Sequence, residues 1–199
     1  MEIINDPRIY YLIGALRDGC LTKDWTIKFS QKYKEWLSST ILPLFNEVFE
    51  TSYSLGNIYP ENKEKTTWSL SICNKKIWLQ LKELIAEAPK TTEEQRLYIK
   101  GFWDADGGCP RDPTISKKIY IKFTQKDKRS LEQIKEILSQ KFSIKAGTVR
   151  VSEITERGTI WRMTITNKRG ILRFCDKIDS GHPIKQKRLF KIKHLLSSR

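Results

Sequence analysis

The sequence has no run approaching the roughly 18–20 apolar residues that cross a bilayer. Its first residues, MEIINDPRIY, have neither the basic and apolar regions of a signal peptide nor the Arg- and Ser-rich character of a transit peptide. Both absences lead to the expectation of an intracellular protein, of cytoplasm or nucleoid, that does not enter a membrane. Histidine is scarce, with His182 and His194 the only two. The four cysteines, Cys20, Cys73, Cys109 and Cys175, include no C-x-x-C pair. No zinc-ligand spacing can be assembled from these residues, and the cysteines are expected to be reduced thiols. Acidic residues are outnumbered, 23 against 37 Lys and Arg, which leaves a net charge of +14. A soluble chain this basic meets a polyanion, and nucleic acid is the commonest one.

The basic excess is uneven. Residues 1–95 carry 12 Lys/Arg and 13 Asp/Glu, a net of −1, whereas residues 96–199 carry 25 and 10, a net of +15. The chain also repeats itself. LIGALRDGC (12–20) pairs with IKGFWDADGG (99–108), TIKFSQKYKEWL (26–37) with YIKFTQKDKRSL (120–131), and WSLSICNKK (68–76) with WRMTITNKR (161–169). Three collinear matches at nearly constant offset indicate duplication of one unit, and divide the chain into a first repeat, 1–92, and a second, 93–199. The second repeat holds a short insertion after Asp106, in CPRDPTISKK.

Periodicity gives each unit its elements. Apolar and polar residues alternate in TIKFS, YIKFT, TWSLSIC and IWRMTIT, which are half-buried antiparallel strands. A further strand is expected to end at Pro60, and a hairpin turn is expected at Gly158. Residues 34–49 and 128–142 have helical spacing, as do 75–88 and 168–178, the last two capped by Asn74 and Asn167. The six tryptophans are expected to be mostly core. The outward strand faces are polar, basic and aromatic, which suits contact with phosphates and base edges in the major groove. Those residues are Lys28, Ser30, Lys32, Thr67 and Ser69 in the first repeat, and Tyr120, Lys122, Thr124, Lys126, Arg150, Ser152, Arg162 and Thr164 in the second.

The sharpest segment is YIKGFWDADGG, residues 98–108. Gly101 and Ala105, four apart, share a helix face on which small residues let a second helix approach closely. Gly14 and Ala15 offer a less regular counterpart. Asp106 and Asp18 are each followed by glycine, which favours a helix stop there. Two carboxylates at two helix C-termini repel one another and add to the negative helix ends, and a divalent cation relieves both effects.

This segment resembles the motif of LAGLIDADG homing endonucleases, single-chain and two-motif. Gly101, Asp104, Ala105, Asp106 and Gly107 match the family's pattern position by position, and Asp18 and Gly19 match its terminal Asp-Gly. The first copy departs from the pattern: Gly14 falls one position late, and Arg17 stands where a small residue is usual. The resemblance implies an α+β fold of two pseudo-twofold related αββαββα-type units, each with an antiparallel DNA-binding sheet, joined through two packed LAGLIDADG helices. It implies hydrolysis of both strands of a DNA target by a monomer, leaving short 3′ overhangs. The metal implied is Mg²⁺, with Mn²⁺ or Ca²⁺ able to substitute in binding, held by Asp18 and Asp106 with the adjoining Gly19 and Gly107. Gln31 and Gln125 would order solvent around the attacking water, and Lys185, in the basic segment HPIKQKRLFKIKHL, would supply positive charge near the leaving phosphate. The first repeat offers only Lys90 in that role. Asp104 is expected to be a helix-face or capping residue. Two alternatives share the scaffold: an RNA-binding intron maturase and a catalytically inactive DNA-binding protein.

Overall fold

A computed structural model describes residues 6–156 and 158–198 of the chain, and of Asp18 the backbone only. It divides into two compact units, Met1–Ala105 and Asp106–Arg199. This division follows packing, so it leaves nearly all of the second motif's helix in the first unit; the repeat boundary at 92/93 is a statement about duplication.

In the first unit, helix α1 (Ile9–Ala15) passes through a 3₁₀ turn, Leu16–Asp18, into strands β1 (Cys20–Leu21) and β2 (Thr26–Gln31). A helical segment follows: α2 (Lys34–Trp36), a π-helical stretch Leu37–Ile41, and α3 (Leu42–Phe49). Pro43, at the start of α3, has no N–H for the carbonyl four residues back, and the wider turn lies just ahead of it. Strands β3 (Ile58–Pro60) and β4 (Trp68–Cys73) and helix α4 (Lys75–Ala86) complete the αββαββα order, and α5 (Thr92–Asp106) follows. The sheet order is β1-β2-β4-β3, all antiparallel. Ile27, Phe29, Ile58, Leu70 and Ile72 are buried on one face, and Phe29 meets Phe45 of α3 edge-on at 6.5 Å. Each such side chain, fully buried, contributes roughly 1.5–3 kcal/mol.

The second unit repeats the plan. Strand β5 (Ile121–Gln125) leads to α6 (Lys128–Phe142), then to the hairpin β6 (Arg150–Thr155) and β7 (Gly158–Ile165), then to α7 (Lys168–Lys177) and α8 (Pro183–Ser197). The sheet order is β5-β7-β6, with a bulge between Val151 and Glu153. Phe123 packs against Phe174 of α7 at 5.9 Å, and Leu131, Ile134 and Leu138 of α6 are fully buried.

The duplication holds at the level of register. Ile27 pairs with Ile72 and Gln31 with Trp68; the equivalent Ile121 pairs with Ile165 and Gln125 with Trp161. Cys20 lies opposite Lys28, and Gly108 opposite Lys122. Both α3 and α6 end on a left-handed non-glycine residue, Glu50 (φ 50°) and Ser143 (φ 54°). Asn74 and Asn167 cap α4 and α7 by accepting from the backbone N–H of Ile77 (3.1 Å) and Gly170 (2.6 Å).

One expectation needs correcting. Trp36, Trp78 and Trp103 are core, but Trp25, Trp68 and Trp161 are half-buried or more exposed. Trp68 and Trp161 instead carry the ammonium groups of Lys34 and Lys128 over their rings at 4.7 and 4.8 Å, another feature shared by the two repeats. Asp104 is a helix-face residue of α5, not a cap: it is fully buried and accepts from Tyr11 Oη (2.7 Å), which accepts in turn from Trp36 Nε1 (3.0 Å). All four cysteines are free thiols. Among the described residues, no helix is long and apolar enough to cross a membrane.

Candidate active site

In the first unit the small residues of α1 and α5 do what their spacing suggests. A Cβ on Gly101 would stand 2.0 Å from the Tyr11 carbonyl oxygen, and one on Gly14 would stand 2.2 Å from that of Tyr98. Backbone meets backbone there, so only glycine allows the contact. The buried Trp36–Tyr11–Asp104 chain joins the same two helices to α2, and a satisfied polar network of this kind fixes one arrangement of the core.

Asp18 ends the 3₁₀ turn that continues α1. Its side chain, the first of the two expected ligands, lies outside the described residues. Gly19 leads directly into β1, and a Cβ there would lie 2.0 Å from the Lys28 carbonyl oxygen, so this glycine meets a packing demand of β2. At the end of β2, the Gln31 carbonyl Oε1 accepts from the Lys32 backbone N–H (2.7 Å). That leaves the Gln31 amide Nε2 to donate to the Ala105 carbonyl at 3.2 Å.

The second unit has the same device, and here it reaches a carboxylate. Gln125 Oε1 accepts from the Lys126 N–H (2.7 Å), and Gln125 Nε2 donates to Asp106 Oδ2 (3.0 Å). Thr124 Oγ1 donates to the Asp106 carbonyl (2.9 Å), so this residue anchors the end of α5 as well as belonging to the outward strand face. Lys185 Nζ donates to the Gly107 carbonyl at 2.7 Å, and the lysine is only 9% exposed. His182, which accepts from the Ile184 N–H at 3.3 Å, caps the start of α8 and so sets Lys185 one turn further on. Burial holds His182 neutral, its pKa depressed to about 3, helped by the charge of Lys185.

Burial pushes the Asp106 carboxyl up to about 6, although Lys185 and the Gln125 hydrogen bond pull the other way. Oδ1 takes no hydrogen bond from any described residue. A mostly buried carboxylate with one open oxygen and an unfavourable ionised state is a good hard-ion ligand, so the site fits a divalent cation. Gly107 contributes a hard carbonyl oxygen, which Lys185 occupies. Among the described residues, no three or more His, Cys, Asp or Glu side chains are grouped to hold a metal ion.

The predicted DNA-facing residues divide by sheet. In the second, cross-strand pairing sets Lys122 beside Thr164, Thr124 beside Arg162, and Arg162 beside Arg150. Arg162 Nε is buried and takes no hydrogen-bond partner among the described residues. Two arginines opposite one another repel, which leaves a place for an anion. Tyr120 directly precedes β5, Lys126 follows it, and Ser152 sits in the bulge. In the first sheet, Lys28, Ser30 and Ser69 share the outward face, but all three hold one carboxylate, Glu61. Lys28 Nζ stands 2.6 Å from Glu61 Oε1, Ser30 Oγ donates to it at 2.8 Å, and so does Ser69 Oγ. Ser69 is fully buried there. Thr67 accepts the Glu61 backbone N–H through its carbonyl (2.8 Å), and Lys32 is exposed. Glu61 carries no sequence expectation of its own, but its parity with Tyr59, two residues earlier beside β3, is the signal that would have placed it on this face.

Residues 93–179 match the LAGLIDADG-like domain, and the first repeat has the same strand register. A LAGLIDADG-like domain thus occupies the second repeat. Its sequence is 23% identical over 198 residues to the homing endonuclease I-ApeI of Aeropyrum pernix, covering 91% of this chain and 85% of that protein. Its fold is similar to that of I-DmoI bound to DNA and Ca (TM-score 0.70, 19% identity, 96% of this chain and 100% of that one). The fold of a variant I-DmoI with its target DNA and Mg is also similar (TM-score 0.69, 20% identity, 86% and 95%). The N-terminal LAGLIDADG domain of DUF199/WhiA shares the fold too (TM-score 0.62, 17% identity, 88% and 87%). At these identities the structural likenesses establish the LAGLIDADG fold.

Proposed function

We propose that the protein is a site-specific double-stranded DNA endonuclease of the homing type, acting inside the cell as a monomer. The observation that carries this reading is the setting of Asp106. The motif's terminal carboxylate is mostly buried, held by Gln125 on one oxygen and open on the other, with Lys185 close by. The relatives lend support: I-ApeI is a homing endonuclease, and I-DmoI has been solved with DNA together with Mg, Mn or Ca. One chain supplies both halves of the site, so no second copy is needed.

Asp106 and Asp18 would hold the divalent cation, Mg²⁺ in the cell, with the carbonyls of Gly19 and Gly107 as lesser donors. When bound, the cation polarises the scissile phosphate and lowers the pKa of the attacking water. Gln125 orients Asp106 and, with Gln31, orders solvent beside the phosphate. Lys185 would supply positive charge near the leaving phosphate. The polar strand faces bring Lys122, Thr124, Arg150, Ser152, Arg162 and Thr164, with Tyr120 and Lys126, against one half-site. Lys28, Ser30, Lys32, Thr67 and Ser69 face the other.

The test is selection from a pool of random duplexes bound in Ca²⁺, followed by transfer of the selected duplex to Mg²⁺. The reading predicts cuts on both strands, offset to leave short 3′ overhangs, and none in EDTA. Binding without cleavage in Mg²⁺ or Mn²⁺ would leave only an inactive DNA-binding protein, and preference for an intron RNA over every duplex would favour a maturase.

A further inference from the structure

Glu61 is out of place on a face meant for DNA. A carboxylate there repels phosphate, and in the first sheet it also occupies Lys28, Ser30 and Ser69. All three bonds end on the same oxygen, Oε1, and Oε2 takes no hydrogen bond from any described residue. Burial alone would raise the Glu61 carboxyl, but the bonds from Lys28, Ser69 and Ser30 outweigh it and hold the group below its ordinary range, ionised. Lys28 in turn is held above its ordinary range by Glu61, against the effect of its own burial. The result is a clamped anion with one acceptor oxygen open, beside an ammonium whose remaining donors are unspent.

In a DNA groove the nucleic-acid groups that such an acceptor can meet directly are base donors. In the major groove, cytosine presents its N4 amine. Adenine presents its N6 amine beside the acceptor N7, which a carboxylate would avoid. The guanine opposite cytosine presents only acceptors, N7 and O6, and those suit an ammonium. Resting on the endonuclease reading above, we propose that Glu61 and Lys28 form a two-residue reader of one C·G base pair. Glu61 Oε2 accepts from cytosine N4, Lys28 Nζ donates to guanine O6 or N7, and Ser30 and Ser69 act as positioning residues that keep the carboxylate fixed. In the same arrangement Lys28 is withheld from phosphate, so the first sheet gives up general affinity for selectivity.

The experiment is selection from the random pool in Ca²⁺ with three full-length proteins: wild type, Glu61→Gln and Lys28→Met. Wild type should enrich C·G at one position of the consensus. Glu61→Gln should lower that preference about tenfold and shift it toward adenine, which a carboxamide can meet bidentately. Lys28→Met should weaken the same position. Every other position should stay unchanged in both variants. Glu61→Gln should also bind random duplex more tightly, with a salt slope steeper by about 0.9 as Lys28 turns to phosphate; a purely structural role for Glu61 would not give tighter binding. An unchanged consensus in Glu61→Gln would overturn the inference alone, and so would loss of the consensus at all positions in that variant. No enrichment by wild type would overturn the inference together with the endonuclease reading.

Discussion

The two repeats share strand register, helix caps, the Gln-capped strand end and the lysine-over-tryptophan pair, yet they differ in how charge is used. On the second sheet Lys122, Arg150 and Arg162 form no ion pair among the described residues, and two of them face one another. On the first sheet the central cation, Lys28, is bound to Glu61. Near the motifs the contrast recurs. Lys185 is buried against the carbonyl that follows Asp106, while the first repeat's Lys90 is an exposed partner of Glu87 at 2.9 Å. One duplicated frame thus carries two arrangements of charge: a second repeat with open cations on its sheet and a buried lysine beside its motif, and a first repeat whose central sheet lysine is paired with Glu61. The net charges of −1 and +15 in the sequence are the coarse form of this difference.

The largest effect that would break the comparison concerns Lys185. If only the second repeat has a buried cation at its motif, Lys185→Met should slow the cut of one strand about a hundredfold, the usual scale for losing a preorganised charge contact. The other strand should be cut at nearly its original rate, and a plasmid bearing the selected site should accumulate as a nicked circle. Equal slowing of both strands would mean that the two sites share this lysine.

Next comes stability. The folded-state pKa of Asp106, about 6, lies above its ordinary value of 3.8, so the folded protein holds that proton more tightly than the unfolded chain does. Stability is therefore lost as pH rises from about 4 through 6, and the loss persists at neutral pH. In EDTA at pH 8, Asp106→Asn should be more stable than wild type by roughly 2 kcal/mol, a rise of about 5 °C in the unfolding midpoint. The advantage should vanish near pH 3, and Mg²⁺ should stabilise wild type and not the variant. Thermal melts across pH check the sign. A variant less stable than wild type at pH 8 would contradict the strained-carboxylate account.

The smallest expected effect is on salt dependence. Removing Lys122 and Arg162 together should flatten the slope of log K against log salt by about 1.8, two phosphates' worth. Removing Lys28, already neutralised by Glu61, should change it much less. Equal changes would show that the sheets grip alike.

Much of this was legible in the sequence because the duplication states it twice. Alternation in TIKFS and WSLSIC sets their inward faces, and Asp-Gly after a small-residue helix marks the motif. Gly101 and Ala105 mark a helix face by spacing, whereas Gly14, one position late in its motif, meets α5 in a way spacing alone does not give. Other features depended on facts outside any local window. Glu61 reaches Lys28 only because β3 and β2 flank β4 in a register that the loops decide. Ser69 has the parity of a surface residue and is buried by that same carboxylate. Asp104 has the motif position of an acid but turns to Tyr11, 93 residues away in sequence. Trp25 sits at φ 64° in a turn, a backbone state that no periodicity signals.

The central claim, that each repeat contributes one carboxylate to metal-dependent cleavage, is tested most directly by Asp18→Asn and Asp106→Asn on the selected duplex in Mg²⁺. Double-strand cleavage should fall at least about a thousandfold in each, the scale of several kcal/mol of lost transition-state stabilisation, while binding in Ca²⁺-free buffer stays within a few fold of wild type. Cleavage of both strands by either variant at close to the wild-type rate would contradict it.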